Sequence, residues 1–170
     1  MRKILYVLGQ LDDLDVQWLS RVGRRRPVAD GERIISQGEA SPSLFILIEG
    51  ALGVDVAGIG RVAVLQQGEI LGEMSFVDSA PPSATVVALG EAIVLEVPKA
   101  ALARRIEDDS GFGFRFYKAI SLLLADRLRG LEGKRSGEGE DELDEMVLDT
   151  VSLAGDRFDR LLRRLAQAAG

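Results

Sequence analysis

The 170-residue sequence contains no cysteine and no histidine. Without cysteine there are no disulfide bonds and no thiol nucleophiles, and without histidine there is no imidazole acid–base catalysis. Ordinary zinc sites also draw on these two residue types. These absences exclude most familiar enzyme designs, so we predict a protein that is not an enzyme and has no metal site and no resident cofactor.

Long apolar runs and an excess of basic charge are also missing. The apolar run within residues 1–13 ends at Asp12 and Asp13, which makes it too short for a signal sequence or a membrane span. The formal net charge is -6 and the pI is near 4.8, whereas DNA affinity rests largely on Lys and Arg. We therefore expect a soluble cytoplasmic protein with no membrane contact, and we do not expect DNA binding.

The first part of the chain predicts one short helix followed by strands. Asp12 precedes the segment LDVQWLSRV, and Asp15 stands three residues later, as at a capped helix start. The following GRRRP is interpreted as the solvated end of that helix, where cations suit the helix dipole. From Val28 onward, turn signals separate short apolar runs, as in an all-β roll or sandwich. The runs are ERIISQ, LFILIEG, ALGVDVA, GRVAVLQ, SATVVAL and AIVLEVP.

The chain after Pro98 predicts helices. KAALARRIEDD starts at that proline, and GFRFYKAISLLLADRLRGLEG carries a wide apolar stripe and ends in glycine. We predict a domain over residues 1–132, with the β roll at 28–98 and the closing helices at 99–132. An acidic, glycine-rich linker at 133–145 and an amphipathic helix at 146–170 follow.

The predicted last helix has apolar residues in alternating steps of four and three. They are Val147, Val151, Ala154, Phe158, Leu161, Leu165 and Ala168. Such a seam is typical of a helix that associates with itself or with a partner, but packing back onto the domain fits equally well. The basic residues Arg157, Arg160, Arg163 and Arg164 are interpreted as dipole complementarity and solubility. A helix-turn-helix DNA reader is not predicted here.

The segment ILGEMSFVDSAPPSATVVA, residues 70–88, is the candidate site. A short helical turn over 73–77 would present unpaired N–H groups, and Gly72 would let a ligand approach the main chain. The carboxylate of Glu73 would accept hydrogen bonds from sugar hydroxyls. An anion seat beside a diol acceptor indicates a nucleotide, although an ordinary turn with solvated polar residues would look the same.

Other polar residues of this segment allow more than one interpretation. Ser83 and Thr85 add hydroxyls near the proposed anion site, and each would serve equally as a turn cap or face solvent. Glu69, Glu73 and Asp78 provide three acids, but without a supporting shell they are interpreted as a ribose contact plus solvated turn residues and not as a metal site.

The whole arrangement resembles the cyclic nucleotide-binding domain family, found in bacterial catabolite-activator-type regulators, kinase regulatory subunits and gated channels. The resemblance covers about residues 8–131 and rests on VADGERIISQGEASPSLFILIEGALGV and LGEMSFVDSAPPSATVVA. It implies a mainly β fold, a β roll of double-stranded β-helix or jelly-roll type with flanking helices. It also implies cAMP or cGMP as ligand. The residues that it places at the ligand are Gly72, Glu73, Met74, Ser75, Pro82, Ser83, Ala84 and Thr85.

One position departs from the family pattern. Pro82 stands where the resemblance leads us to expect the arginine that binds the cyclic phosphate. A charge-assisted hydrogen bond to phosphate is worth roughly 1.5–3 kcal/mol, so cAMP binding should be weakened about ten- to a hundredfold. Either a cation from elsewhere, such as Arg61 or Lys99, binds the phosphate in place of the arginine, or the pocket no longer binds a ligand.

These observations predict a non-enzymatic regulatory module. It would sense a cyclic nucleotide or a related ligand and reposition its C-terminal helices, forming a homodimer through those helices or contacting a protein partner. The alternative is a ligand-free scaffold or oligomerisation module with the same fold.

Overall fold

The computed structural model describes residues 4–136 and 145–167 of the chain. The helices of this part are α1 Ile4–Gln10, α2 Asp13–Val22, α3 Met74–Val77, α4 Lys99–Asp108, α5 Ser110–Ser136 and α6 Glu145–Gln167. The strands are β1 Arg24–Val28, β2 Arg33–Ile35, β3 Ser43–Glu49, β4 Leu52–Val56, β5 Gly60–Leu65, β6 Ile70–Leu71, β7 Thr85–Ala88 and β8 Ala92–Pro98. No helix among these combines the length and the apolar composition that crossing a membrane requires.

The strands form two four-stranded antiparallel sheets. One has the order β1-β8-β3-β6 and the other β2-β7-β4-β5. Their facing side chains make one core, which contains Phe45 and Leu47 of β3 together with Leu52, Val86 and Val94. This architecture confirms the predicted mainly β roll with flanking helices.

A second core lies on the other side of β3, against the helices. Because side chains alternate across a strand, Leu44, Ile46 and Ile48 point away from the facing sheet and pack with α1, α4, α5 and α6. This alternation explains why the first five residues of LFILIEG are apolar without a break. The molecule therefore has three layers, with the β3 sheet in the middle.

The start of α2 follows the prediction from its cap residues. Asp12 accepts from the N–H of Asp15 at 2.9 Å, and the Asp15 carboxylate accepts from the N–H of Asp12 at 3.0 Å, which completes a capping box. The fully buried Asp15 also accepts two hydrogen bonds from Arg115, at 2.6 and 2.9 Å, and so fixes α2 against α5.

The interpretation of GRRRP as a helix end is wrong. The helix stops at Val22, because the backbone turns to an extended conformation at Gly23. Glycine is needed there, since a Cβ would lie 2.9 Å from the carbonyl oxygen of Leu19 and 2.6 Å from the Leu95 side chain. The arginines then form edge strand β1, which pairs with β8. Pro27 is tolerated there because an edge strand does not need every N–H group.

The two C-terminal helices are longer and more closely packed than the sequence predicts. Helix α5 continues through Gly133 to Ser136, and α6 begins at Glu145, so helix occupies both ends of the predicted linker 133–145. Residues 137–144 lie outside the described residues. The domain limits at 132 and 146 stay predictions.

Helix α6 folds back onto α1 and α2. Ala154, Phe158, Leu161 and Leu165 of its apolar seam are buried in the second core, while the side chains of Val147, Val151 and Ala168 lie outside the described residues. Of the two interpretations left open for this seam, packing onto the domain is the one observed. The partner helix α1 was missed by the sequence reasoning, although Ile4, Val7, Leu8 and Leu11 follow the helical spacing.

Polar contacts reinforce this docking. Arg157 donates to the carbonyl oxygen of Leu8 at 2.9 Å and to Asp13 at 3.0 Å, and Arg160 donates to Asp13 at 2.9 Å. The hydrogen bonds from these two arginines, Arg157 first, lower the pKa of Asp13. Their stabilisation is therefore present above the ordinary pKa of the carboxyl and is lost as the pH falls through the lowered value.

We expect Leu161→Ala to lower the free energy of unfolding by about 2–5 kcal/mol, because it opens a cavity where α6 meets the helical core. The control is Leu153→Ala on the same helix, where the side chain is 43% exposed and the loss should stay within roughly 0.5 kcal/mol. Urea denaturation of the two variants measures the difference. Equal losses would contradict the docking of α6.

Candidate ligand-binding site

A cavity of about 250 Å³ opens between the β2-β7-β4-β5 sheet and the segment around α3. Such a volume lies just below the range of about 300–1,000 Å³ that is typical of ligand pockets. Its walls are mostly aliphatic, with a few polar groups on one side. The lining residues are Ile35, Val54, Leu65, Ile70, Leu71, Gly72, Glu73, Met74, Ser75, Pro82, Ser83, Ala84, Val86 and Arg127.

Most of the predicted site residues meet at this cavity. They are Gly72, Glu73, Met74, Ser75, Pro82, Ser83 and Ala84. Thr85 is absent from the lining, and its hydroxyl accepts a hydrogen bond from the N–H of Gln37 at 3.1 Å. Thr85 thus joins β7 to the loop after β2. The part of these residues in ligand binding stays a prediction.

The turn at Gly72 brings the chain from β6 into α3. Its φ is +81°, a conformation that other residues rarely adopt, and a Cβ at this position would lie 3.0 Å from the carbonyl oxygen of Ser43. Both restrictions require glycine. The turn brings Glu73 into the cavity wall directly before α3.

Helix α3 is a single turn whose first N–H groups are open. Phe76 and Val77 donate to the carbonyl oxygen of Glu73, whereas the N–H groups of Met74 and Ser75 find no acceptor among the described residues. Ser75 Oγ donates to the carbonyl oxygen of Gly72 at 3.2 Å and accepts from Lys99 Nζ at 2.6 Å. Loss of hydration, which outweighs the attraction of Glu73 and Asp78, lowers the pKa of Lys99.

Glu73 is the charged group of the cavity wall and is 2% exposed. Its Oε1 accepts from Arg127 of helix α5, and the same guanidinium donates to the carbonyl oxygen of Ile70 at 2.7 Å. Arg127 also lies 3.9 Å from the Glu69 carboxylate. One arginine therefore joins α5 to both β6 and the start of α3.

Arg127 was missed by the sequence reasoning. It stands 54 residues after Glu73, so no local motif connects the two. A signal was present within the helix, because Phe116, Ile120 and Leu123 define the buried face and Arg127 is the next residue on it. An arginine that continues a buried stripe needs a partner.

Neither cation that was considered from the sequence lines the cavity. Arg61 forms two hydrogen bonds to Asp55, at 2.8 and 3.0 Å, on the hairpin of β4 and β5. Lys99 is held by the Ser75 hydroxyl. At Pro82 the carbonyl oxygen accepts from the N–H of Gly38 at 2.9 Å, which fixes the loop that closes the cavity.

The acids Glu69, Glu73 and Asp78 do not form a metal centre. Asp78 is exposed and accepts from the N–H of Ala80, whereas the other two carboxylates lie near Arg127. Residues 4–136 and 145–167 contain no group of three acidic side chains with the geometry to hold a metal ion.

Comparison with known proteins identifies the family of the chain. The pattern of the cyclic nucleotide-binding domain family matches residues 25–109, half of the chain. The cAMP-dependent protein kinase regulatory subunit of Mycosarcoma maydis is 38% identical over 68 residues, which cover 38% of this chain. The matched segment spans only 13% of that relative.

Solved structures share the fold at lower identity. A cyclic nucleotide-binding domain from Methylobacillus flagellatus KT aligns with a TM-score of 0.69 and 21% identity over 84% of this chain and 85% of that one. The Thermus thermophilus catabolite activator protein aligns with a TM-score of 0.59 and 23% identity, over 94% of this chain and 85% of its own. The chain thus belongs to the cyclic nucleotide-binding domain family, whose domains are typically non-catalytic sensor modules.

Proposed function

We propose that the protein is a regulatory module that senses a cyclic nucleotide or a related ligand in this cavity and transmits its occupancy to helix α5. The observation that carries the proposal is the position of Glu73. Its carboxylate is buried in the cavity wall and is held by Arg127 of α5. The nature of the relatives, kinase regulatory subunits and a catabolite activator protein, supports a regulatory role.

The pair provides a route from ligand to helix. A ligand hydroxyl that donates to Glu73 shares the carboxylate that holds Arg127, and so weakens the electrostatic contact between the two side chains. Arg127 also donates to the carbonyl oxygen of Ile70. A movement of its guanidinium would therefore change the contacts with Glu73 and with Ile70 together. Helix α5 packs against α1, and a shift of α5 would therefore reach the helical layer.

A second candidate is a ligand-free scaffold with the same fold. It is favoured by Pro82 at the position of the expected arginine. It is also favoured by the ion pair between Glu73 and Arg127, which exists without a ligand. In this candidate the pair is permanent and serves only to fix α5.

The seam of α6 is not available for the proposed homodimer, because its described residues are buried within the chain. Three large apolar side chains of α5 are solvent-exposed, Phe114 at 70%, Tyr117 at 43% and Leu128 at 58%. At 100° per residue they lie on one face, opposite the buried face of Phe116 and Leu123. We place the contact between two copies on this α5 face.

Calorimetric titration with cAMP and cGMP tests the sensor proposal. We expect saturable binding to the wild-type protein and a loss of at least tenfold in affinity for Glu73→Gln, which keeps the shape but removes the anionic acceptor. Glu91→Gln, on an exposed turn, is the control and should bind like the wild type. An unchanged affinity in Glu73→Gln would contradict the role given to this carboxylate.

Removing the guanidinium of Arg127 should destabilise the fold. In Arg127→Met the buried carboxylate of Glu73 loses its charged partner, and we expect the free energy of unfolding to fall by roughly 1.5–3 kcal/mol. Arg129→Met changes an exposed arginine of the same helix and should cost less than about 0.5 kcal/mol. Urea denaturation compares the two, and similar losses would mean that the pair does not fix α5.

The dimer is tested by sedimentation velocity at micromolar concentrations. Leu128→Lys should shift the protein from dimer to monomer, because it places a charge in the proposed apolar contact. Leu153→Lys, on α6, should leave the dimer intact. A wild-type protein that sediments only as a monomer would rule out the dimer under these conditions.

A further inference from the structure

The one cation of the cavity lining already has two carboxylate neighbours. Of the fourteen lining residues only Glu73 and Arg127 are charged, and these two contact each other, while Arg127 also lies 3.9 Å from the carboxylate of Glu69. Most of the remaining surface is apolar, from Ile35, Val54, Leu65, Ile70, Leu71, Met74, Pro82, Ala84 and Val86. The described lining therefore offers no cation that lacks a carboxylate partner.

An anionic ligand is poorly matched to such a cavity. A phosphate monoester group that leaves water needs a cation or several hydrogen bonds to replace its hydration. If Arg127 turned to the phosphate, the carboxylate of Glu73 would be left buried without its partner. If Arg127 stayed, one guanidinium would face three negative groups, the carboxylates of Glu69 and Glu73 and the phosphate. The two open N–H groups at α3 are too few to replace the missing arginine.

A neutral ligand avoids this conflict. Arg127 contacts Oε1 of Glu73, and the structure shows no hydrogen bond from a described residue to Oε2. That oxygen is open to a ligand hydroxyl, which would weaken the ion pair with Arg127 without replacing either partner. The aliphatic walls suit the faces of a flat ring.

We propose that the cavity selects an uncharged, nucleoside-like ligand, a flat ring that carries neighbouring hydroxyl groups, over a cyclic phosphate. This inference rests on the proposed sensor function and narrows its ligand class. Pro82 is then a specificity determinant. It adds apolar surface at the point where the family pattern would otherwise place a positive charge.

The test is calorimetric titration of the full chain with adenosine, guanosine, 2′-deoxyadenosine, cAMP and cGMP. We expect the wild type to bind adenosine or guanosine at least tenfold more tightly than the matching cyclic nucleotide. If adenosine is the ligand, 2′-deoxyadenosine should bind at least tenfold more weakly, because it lacks one of the two hydroxyls that Glu73 would read.

The variant Pro82→Arg should reverse the preference. It should gain ten- to a hundredfold in affinity for the cyclic nucleotide and change little for the nucleoside. The control Pro81→Arg introduces the same charge at the adjacent exposed proline, which does not line the cavity, and should keep the wild-type preference.

The remaining outcomes separate this inference from the proposed function. Wild-type binding of cyclic nucleotides as tight as that of nucleosides, with sensitivity to Glu73→Gln, would overturn the inference and keep the sensor. If only the Pro82→Arg variant bound a cyclic nucleotide or a nucleoside, the inference would be overturned, and a pocket that has lost ligand binding in the wild type would be favoured. If no probe binds to the wild type or to Pro82→Arg, the inference and the sensor function both fail for nucleosides and nucleotides.

Discussion

The structure depends on one sheet that is buried on both faces. In β3, Phe45 and Leu47 face the second sheet, while Leu44, Ile46 and Ile48 face the helices. Strand β8 divides its side chains in the same way, with Val94 on one side and Leu95 on the other. A slip of one residue in either strand would exchange the two faces along its whole length. This constraint fixes the sheet against which the cavity and the helical layer are both positioned.

The candidate site lies where the two layers meet. Its wall comes from the β roll, and its one guanidinium comes from α5, so the site is complete only when the helical layer is in place. The shape and charge of such a pocket therefore depend on the position of α5. The same geometry explains why a buried carboxylate is tolerated, because Arg127 supplies charge and the Ile70 carbonyl orients the guanidinium.

Local signals in the sequence were sufficient for much of the fold and for one side of the site. Asp12 and Asp15 marked the helix start, and Gly72 and Glu73 marked the turn at the cavity. Contacts between distant segments were not predictable in the same way. The arginines after Gly23 become strand only because β8 lies beside them, and Arg127 gains its partner only when α5 crosses β6. The apolar seam of α6 defined a buried face, but not the surface that buries it.

The docking of α6 onto α1 has a consequence for how the chain folds. The hydrogen bond between Arg157 and the Leu8 carbonyl joins residues 149 positions apart, so this contact closes a very long loop. Long-range closure is slow compared with the formation of local helices and hairpins. During synthesis Val7 and Leu8, on the apolar side of α1, therefore remain uncovered by α6 until the ribosome has made that helix. In this interval the nascent chain exposes an apolar helix surface that is buried in the folded protein.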